Sequence, residues 1–171
     1  FHWTIAVLVI LNLVIGIGHE GLDKPLAGML MGWHKAFGIT ILVLSVGRLA
    51  WRLGNRPPPL PVMPGWQVGV AHALHWLFYF LIIAMPISGW WMSSASLKRS
   101  PIDFFGLFDV PFLPVTQGPE GLGGLFHEFH EYAGFTFAAL VLLHIGAALY
   151  HHYVSRDTVL ARMMPGLEPR G

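Results

Sequence analysis

The stretch FHEFHEYAGFTFAALVLLHIGAALYHHY, residues 126–153, decides the fold of this chain. From Tyr132 to Ser155 it contains no Asp, Glu, Lys or Arg, and a helix crosses a bilayer in about 20 apolar residues. His130 and His144 lie 14 residues apart, close to four helical turns, so they share one face and differ in depth by roughly 21 Å. Because a histidine in a lipid-spanning helix is costly without a partner, two on one face indicate two stacked metal or haem sites.

The composition predicts an integral membrane protein. The chain is 54% hydrophobic and 11% charged, with a mean hydropathy of +0.59, whereas a soluble domain carries about 25% charged residues. The absence of cysteine excludes disulfides, thiolate-ligated haem, iron–sulfur clusters and covalent haem of the c type. The formal net charge of +1 gives no sign of nucleic-acid binding. Because Phe1 already lies in an apolar run, further residues are expected upstream.

Charge-free segments predict one all-α domain over residues 1–171, a bundle of four transmembrane helices surrounded by lipid. Residues 19–31 are polar and Gly-rich and contain Pro25, so we expect a loop there. Residues 94–125 form the longest connection, and the apolar run FFGLFDVPFLP in it is expected at the membrane surface. The spans are expected at about 1–18, 33–53, 67–92 and 130–153.

Basic residues predict the orientation of this bundle. Four spans place both chain ends on one side, which carries six basic residues against four on the other side. The positive-inside rule therefore places both termini in the cytoplasm. The six are Arg48, Arg52, Arg56, Arg156, Arg162 and Arg170, and the four are Lys24, Lys35, Lys98 and Arg99.

The depth of the histidines in the spans predicts two pairs. His34 and His130 lie at the outer level, and His2 and His144 lie at the inner level. Each level holds two imidazoles from different helices, which is the arrangement that two stacked bis-histidine b haems require. A small residue, which leaves room for a broad flat group, follows each histidine one turn later: Ala6, Gly38, Gly134 and Ala148.

Other ligands remain open at this stage. His127 lies one turn before His130 and is a rival for the same position. A methionine is also an alternative to one of the histidines as an axial ligand. The methionines concerned are Met29, Met31 and Met92.

Two arginines and four further histidines are expected on the inner side. Arg48 follows His34 by 14 residues on the same helix face, with Arg52 one turn further. Such an arginine either binds a haem propionate in bidentate geometry or extends to the membrane interface. The histidines either line a pocket for a quinone headgroup, which needs hydrogen-bond donors and proton carriers, or are simply solvated. They are His72, His75, His151 and His152.

Five segments together resemble one family over nearly the whole chain: HWTIAVLV at 2–9, HKAFGITILVLSVGRLAWRL at 34–53, AHALHWLFYFLIIAMPISG at 71–89, HEYAGFTFAALVLLHIGAALYHHYV at 130–154 and RDTVLARMMPG at 156–166. The chain resembles the prokaryotic cytochrome b561 family, which are four-helix dihaem membrane proteins. Axial ligands in that family match His2, His34, His130 and His144, which hold two non-covalent haems b (iron protoporphyrin IX).

The resemblance also implies an activity in the bacterial inner membrane. Superoxide is oxidised to dioxygen at the outer face, and electrons pass through the outer and then the inner haem to ubiquinone, returning to the respiratory chain. Lys35 and three other outer basic residues would attract an anion, but seven acidic residues share that side. The donor is therefore superoxide or a periplasmic protein.

Two other functions stay open. One is a quinone-reducing cytochrome b anchor subunit of a periplasmic dehydrogenase, which would dock on the apolar loop at 94–125 through Phe104, Phe105, Phe108 and Phe112. The other is a histidine-lined transporter of metal ions or protons without redox chemistry. A transporter needs a polar path between the two histidine levels, whereas the residues there are apolar: Phe135, Phe137, Leu140 and Val141.

Overall fold

The computed structural model of this chain describes residues 1–55, 61–118, 122–164 and 166–167. Its described part is mostly helical, and four of its helices are long and apolar enough to cross a membrane. These are α1 (His2–Gly18), α2 (Lys24–Gly54), α3 (Gly65–Ala95) and α4 (Leu122–Tyr150). Shorter elements are a 3₁₀ turn (His19–Gly21), strands β1 (Ile102–Asp103) and β2 (Asp109–Val110), a π-helical turn (His151–Ser155) and α5 (Val159–Met163).

The four long helices form an antiparallel bundle in which α1 and α3 each contact both α2 and α4. Gly38 of α2 lies near Asn12 of α1, and His34, one turn earlier in α2, lies against Gly16, one turn later in α1. The opposite order of these contacts shows that the two helices run in opposite directions. All four long helices contribute to the buried apolar core, which consists of Ile5, Val9, Ile41, Leu81, Ile82, Met85 and Phe137.

The two ends of the bundle differ, and we name them by what they contain. The hairpin end carries the 3₁₀ turn after α1 and the strands β1 and β2 between α3 and α4. The terminal end carries the start of α1, the end of α2 and the residues after α4. There the Trp3 indole nitrogen donates a hydrogen bond to the Met163 carbonyl oxygen at 2.6 Å, so the start of α1 and the end of α5 are close together. Arg56 and Arg170 lie outside the described residues.

The predicted loop at 19–31 is wrong for residues 24–31, because α2 already begins at Lys24. The Asp23 side chain caps the helix by accepting a hydrogen bond from the Leu26 amide at 3.4 Å. Pro25 stands in the first turn, where its missing N–H has no helical partner to lose. A capping aspartate followed by a proline is therefore a helix start here, rather than a break.

Helix α4 is also longer than the span predicted at 130–153, since it begins at Leu122 and passes into the π-helical turn at His151. The extra first turns include polar residues such as Glu128. A charge-free segment marks only the part of a helix that lies in the hydrocarbon layer. Helical turns outside that layer carry polar residues and are therefore missed. Arg156, in the left-handed conformation at φ 52°, ends the π-helical turn.

The connection between α3 and α4 contains a short β-hairpin, which the sequence reasoning missed. Ile102 pairs with Val110 and Asp103 with Asp109 in antiparallel register. Gly106 has φ 74°, which glycine adopts without steric cost, and its amide donates to the Asp103 carboxylate at 2.8 Å.

The hairpin packs on the bundle. The rings of Phe105 and Phe37 of α2 have centres 5.5 Å apart. The Trp90 indole nitrogen of α3 donates to the Pro111 carbonyl at 3.0 Å. The described part of this connection, residues 96–118, therefore forms a structured cap over α2 and α3. Its position at the membrane surface stays a prediction.

Candidate functional site

At the hairpin end the structure brings together His34 of α2 and His130 of α4. Their ring centres lie 6.0 Å apart with the ring planes at 78°, and both side chains are half-buried. Two imidazoles that share one metal have ring centres roughly 6 Å apart, since each metal–nitrogen bond is about 2 Å and the ring centre lies about 1 Å beyond the nitrogen. The observed spacing therefore suits a pair of axial ligands.

One nitrogen of the His34 ring is already engaged. Its Nδ1 lies 3.0 Å from the backbone carbonyl oxygen of Asn12 in α1. A carbonyl oxygen only accepts hydrogen bonds, so Nδ1 carries the proton and Nε2 keeps its lone pair. This is the tautomer that a metal-ligating histidine needs, with the carbonyl as the outer partner that orients the ring.

The His130 ring is oriented in a similar way, but by a side chain. Its Nδ1 lies 2.8 Å from the Ser88 hydroxyl oxygen of α3, and the same hydroxyl donates to the Met85 carbonyl at 2.8 Å. Because the single hydroxyl proton points to Met85, the oxygen accepts from Nδ1–H of His130. Nε2 of His130 is thereby also left as the ligating nitrogen.

Two glycines let the neighbouring helices approach these rings. A Cβ atom on Gly16 of α1 would lie 2.9 Å from Cε1 of His34, and one on Gly89 of α3 would lie 3.0 Å from Cε1 of His130. A Cβ at position 16 would force a shift of the structure, and one at position 89 would require the ring to move by a few tenths of an ångström. Each ring therefore packs closely on a glycine. The sequence reasoning considered only glycines on the ligands' own helices and missed both of these. The available signal was a glycine at matching depth in each adjacent span.

A cavity of about 380 Å³ lies beside the two rings. This volume is within the range of small-molecule sites, about 300–1,000 Å³. The predicted small residues Gly38 and Gly134 both line it, as do Gly16 and Gly89. Two free Nε2 atoms, fixed ring orientations, glycine walls and a mostly apolar lining fit a non-covalently bound b-type haem.

The terminal end brings together three histidines rather than two. The His144 ring of α4 has its centre 6.3 Å from that of His75 in α3 and 5.2 Å from that of Phe78. His2 is half-buried in the first turn of α1, near enough for charge interaction with His75, His144 and Arg48. The predicted pair His2 and His144 thus lies at one level, but the imidazole found at ring-to-ring spacing from His144 is His75.

The two arginines at this level face the aromatic surface of α3. The Arg48 guanidinium carbon lies 5.5 Å from the centre of the Tyr79 ring. Arg52 lies 5.7 Å from the same ring and 5.9 Å from the Trp76 ring. All three distances are within the range of cation–π attraction. Binding of a haem propionate by either arginine remains a prediction.

The four histidines of the predicted quinone pocket occupy different surroundings. His72 is exposed, whereas His75 packs on His144. Nδ1 of His151 pairs with the Asp157 carboxylate at 2.5 Å. His152 is buried, and its Nδ1 has no hydrogen-bond partner among the described residues. The cavity at the hairpin end is lined by none of the four, so the shared pocket stays a prediction.

The chain matches known proteins along its length. A family model described as prokaryotic cytochrome b561 matches residues 1–166. Cytochrome b561 homolog 2 of Escherichia coli (strain K12) is 33% identical over 96% of this chain and 87% of that protein. The probable superoxide oxidase CybB of Yersinia pestis is 36% identical over 77% of this chain and 73% of that protein. Cytochrome b562 of Cereibacter sphaeroides is 27% identical over 95% of this chain and 89% of that protein.

The fold and the family together define a multi-pass bacterial membrane protein that binds b-type haem and acts in electron transfer. The chain belongs to the prokaryotic cytochrome b561 family. The resemblance found in the sequence is thereby confirmed.

Proposed function

We propose that this chain carries electrons across the bacterial inner membrane from superoxide to ubiquinone, with a b-type haem held at each histidine level. His34 and His130 would hold the haem at the hairpin end, and His144 with His2 would hold the haem at the terminal end. When bound, each haem supplies a one-electron carrier. The observation that carries the proposal is the paired His34 and His130 rings, 6.0 Å apart beside a cavity.

The reaction balances with two superoxide ions for each quinone. Each superoxide gives up one electron and leaves as dioxygen, so this side needs no general acid and no nucleophile. Ubiquinone takes two electrons and two protons to become ubiquinol, so the quinone side needs proton carriers. The pair of His151 and Asp157 at the terminal end is suited to that task.

Superoxide is taken as the donor because one relative carries the name probable superoxide oxidase. The side on which it reacts is assigned from the basic residues, which favour a cytoplasmic terminal end by six to four. The hairpin end would then face the periplasm. Lys35, which lines the cavity there, would attract an anion, although Glu20 and Glu131 of the same lining oppose it.

Apolar side chains of α4 lie between the two histidine levels. His130 and His144 are 14 residues apart in one helix, which is roughly 21 Å along its axis. Between them Phe137 is buried in the apolar core, and Leu140 and Val141 pack against it. A polar path for ions would need water or polar side chains at this depth, so electron transfer suits the bundle better than ion transport.

Spectra and fast mixing of the purified chain test the proposal. A reduced-minus-oxidised spectrum with quantified haem is expected to show two b haems per chain. Stopped-flow mixing with superoxide should then reduce the haems, and added ubiquinone should reoxidise them. A colourless protein would overturn the whole proposal, and haems that superoxide does not reduce would overturn the assigned donor.

A second candidate is the quinone-reducing anchor subunit of a periplasmic dehydrogenase. It is favoured by the exposed apolar tip of the hairpin, where Leu107 is 75% and Phe108 is 57% exposed. If the chain is such a subunit, it should form a stable complex with a second chain that reduces the haems. Superoxide-driven quinone reduction by the isolated chain would exclude the need for such a partner.

A further inference from the structure

We propose that Ser88 is a positioning residue for the haem at the hairpin end, acting through His130. Its hydroxyl holds His130 in the tautomer that leaves Nε2 free and increases the electron donation of that ring to iron. The inference rests on the proposed function, because it takes His130 as an axial ligand.

The Ser88 hydroxyl bridges His130 and the Met85 carbonyl, which are the two contacts that this role needs. Its side chain is 0% exposed, and its Oγ lies 2.8 Å from Nδ1 of His130 and donates to the Met85 carbonyl at 2.8 Å. The carbonyl cannot donate, so the direction of the relay is determined: His130 to Ser88, and Ser88 to Met85.

Because this site is buried, water cannot easily replace the Ser88 hydroxyl as the hydrogen-bond acceptor of His130. A buried N–H that loses its acceptor suffers the full cost of desolvation, whereas an exposed one would bind water. Gly89, the next residue, lets the ring come this close, because any Cβ there would lie 3.0 Å from Cε1 of His130. Ser88 thus holds the His130 ring at Nδ1 through a hydrogen bond, and Gly89 packs against the ring at Cε1.

The two rings of this level differ in one instructive respect. His34 donates to the backbone carbonyl of Asn12, which no side-chain substitution removes. His130 donates to a hydroxyl, which one substitution does remove. Of these two hydrogen bonds, only the one to Ser88 can be changed by substituting a side chain. Position 88 is therefore where the electron donation of a ligating imidazole can be altered.

The direction of the effect follows from ligand basicity. A hydrogen bond from Nδ1–H to an acceptor makes the imidazole a stronger donor, and a stronger donor favours ferric over ferrous iron. Loss of the hydroxyl should therefore raise the midpoint potential of one haem and leave that of the other unchanged. Retention of that haem should weaken as well, by roughly 10–100-fold in affinity, as for other outer partners of ligating histidines.

The test is a graded series at position 88 in the purified full chain, read by redox titration and by transfer of haem to a scavenger protein. Ser88→Ala removes the hydroxyl, Ser88→Cys leaves a weaker acceptor, and Ser88→Thr keeps the hydroxyl. We expect the shift to be largest for alanine, smaller for cysteine and close to zero for threonine. Cysteine and threonine keep the series informative if the alanine variant does not fold.

Ser45→Ala is the matched control. Ser45 is also 0% exposed, but its hydroxyl has no hydrogen-bond partner in the part of the chain that the structure describes. An upward shift of one potential in Ser88→Ala, with none in Ser45→Ala, supports the proposal. Equal shifts in both variants, or potentials that do not depend on the side chain at position 88, overturn it.

His130→Ala separates the failure of this inference from that of the proposed function. If His130→Ala loses one haem while the Ser88 series leaves both potentials unchanged, only the role of Ser88 is overturned. If His130→Ala keeps both haems, its ligand role is wrong, and the role of Ser88 is overturned with it.

Discussion

The hairpin end and the terminal end of the bundle both collect histidines, but they hold them differently. At the hairpin end, His34 and His130 have hydrogen-bonded Nδ1 atoms and lie beside a cavity of about 380 Å³. At the terminal end, His144 packs against His75 and Phe78, and Arg48 stacks on Tyr79.

The two ends therefore differ in how far their contacts select the ligands. At the hairpin end, the tautomers of the two rings, the distance between their centres and the adjacent cavity all favour His34 and His130 as the pair of ligands. At the terminal end, three imidazoles compete for two axial positions, so position alone does not choose between His2 and His75. Substitutions at the two ends should therefore have different effects.

The largest effect is expected from removing one ligand on α4. His130→Ala and His144→Ala should each reduce the haem content from two to one per chain and abolish electron transfer, because one axial nitrogen is lost. Haem quantified by the pyridine haemochrome assay measures this. Two haems per chain in either variant would rule out the ligand role of that histidine.

The next comparison decides between the competing imidazoles. If His2 ligates, His2→Ala should lose the haem of the terminal end, whereas His75→Phe should keep both haems and slow quinone reduction. Haem content and ubiquinol formation are measured on the same samples. The reverse result, haem loss only in His75→Phe, would assign the ring beside His144 as the ligand and exclude His2.

A smaller effect is expected from adding a methyl group at the glycines. Gly16→Ala and Gly89→Ala place Cβ atoms 2.9 Å and 3.0 Å from Cε1 of the adjacent histidine, and overpacking of this kind costs about 1–3 kcal/mol. The midpoint temperature of thermal unfolding and the fraction of haem that the protein retains should both fall.

Gly47→Ala in α2 is the control, since a Cβ there meets nothing within 4 Å. It is expected to be neutral or to stabilise the helix by up to about 1 kcal/mol. Equal effects at all three glycines would show that the packing against the rings is unimportant.

The smallest effect is expected at the arginines. Arg48→Gln removes a cation–π contact with Tyr79, worth about 0.5–2 kcal/mol, and should leave both haems bound. If Arg48 also binds a propionate, the potential of one haem should rise or fall in Arg48→Gln and stay constant in Arg52→Gln. Identical potentials in the wild type and both variants would restrict the arginines to packing and orientation.

Part of the site followed from counting along the helices. A membrane span has a fixed direction and a rise of about 1.5 Å per residue, so the depths of His2, His34, His130 and His144 could be compared without coordinates. The structure does place His34 beside His130 at one end. It also adds His75 to the other level, because depth does not say which of several histidines faces a neighbour.

The number of spans, the membrane environment and the depth of the histidines could be read from the sequence, because lipid excludes charge and requires continuous helices. The folded bundle was needed to identify the acceptors of His34 and His130, the glycines behind their rings and the neighbour of His144. These contacts depend on how each helix is rotated about its own axis and which helix lies beside it. Side chains far apart along the chain settle that rotation together when they pack, and a one-dimensional pattern does not contain it.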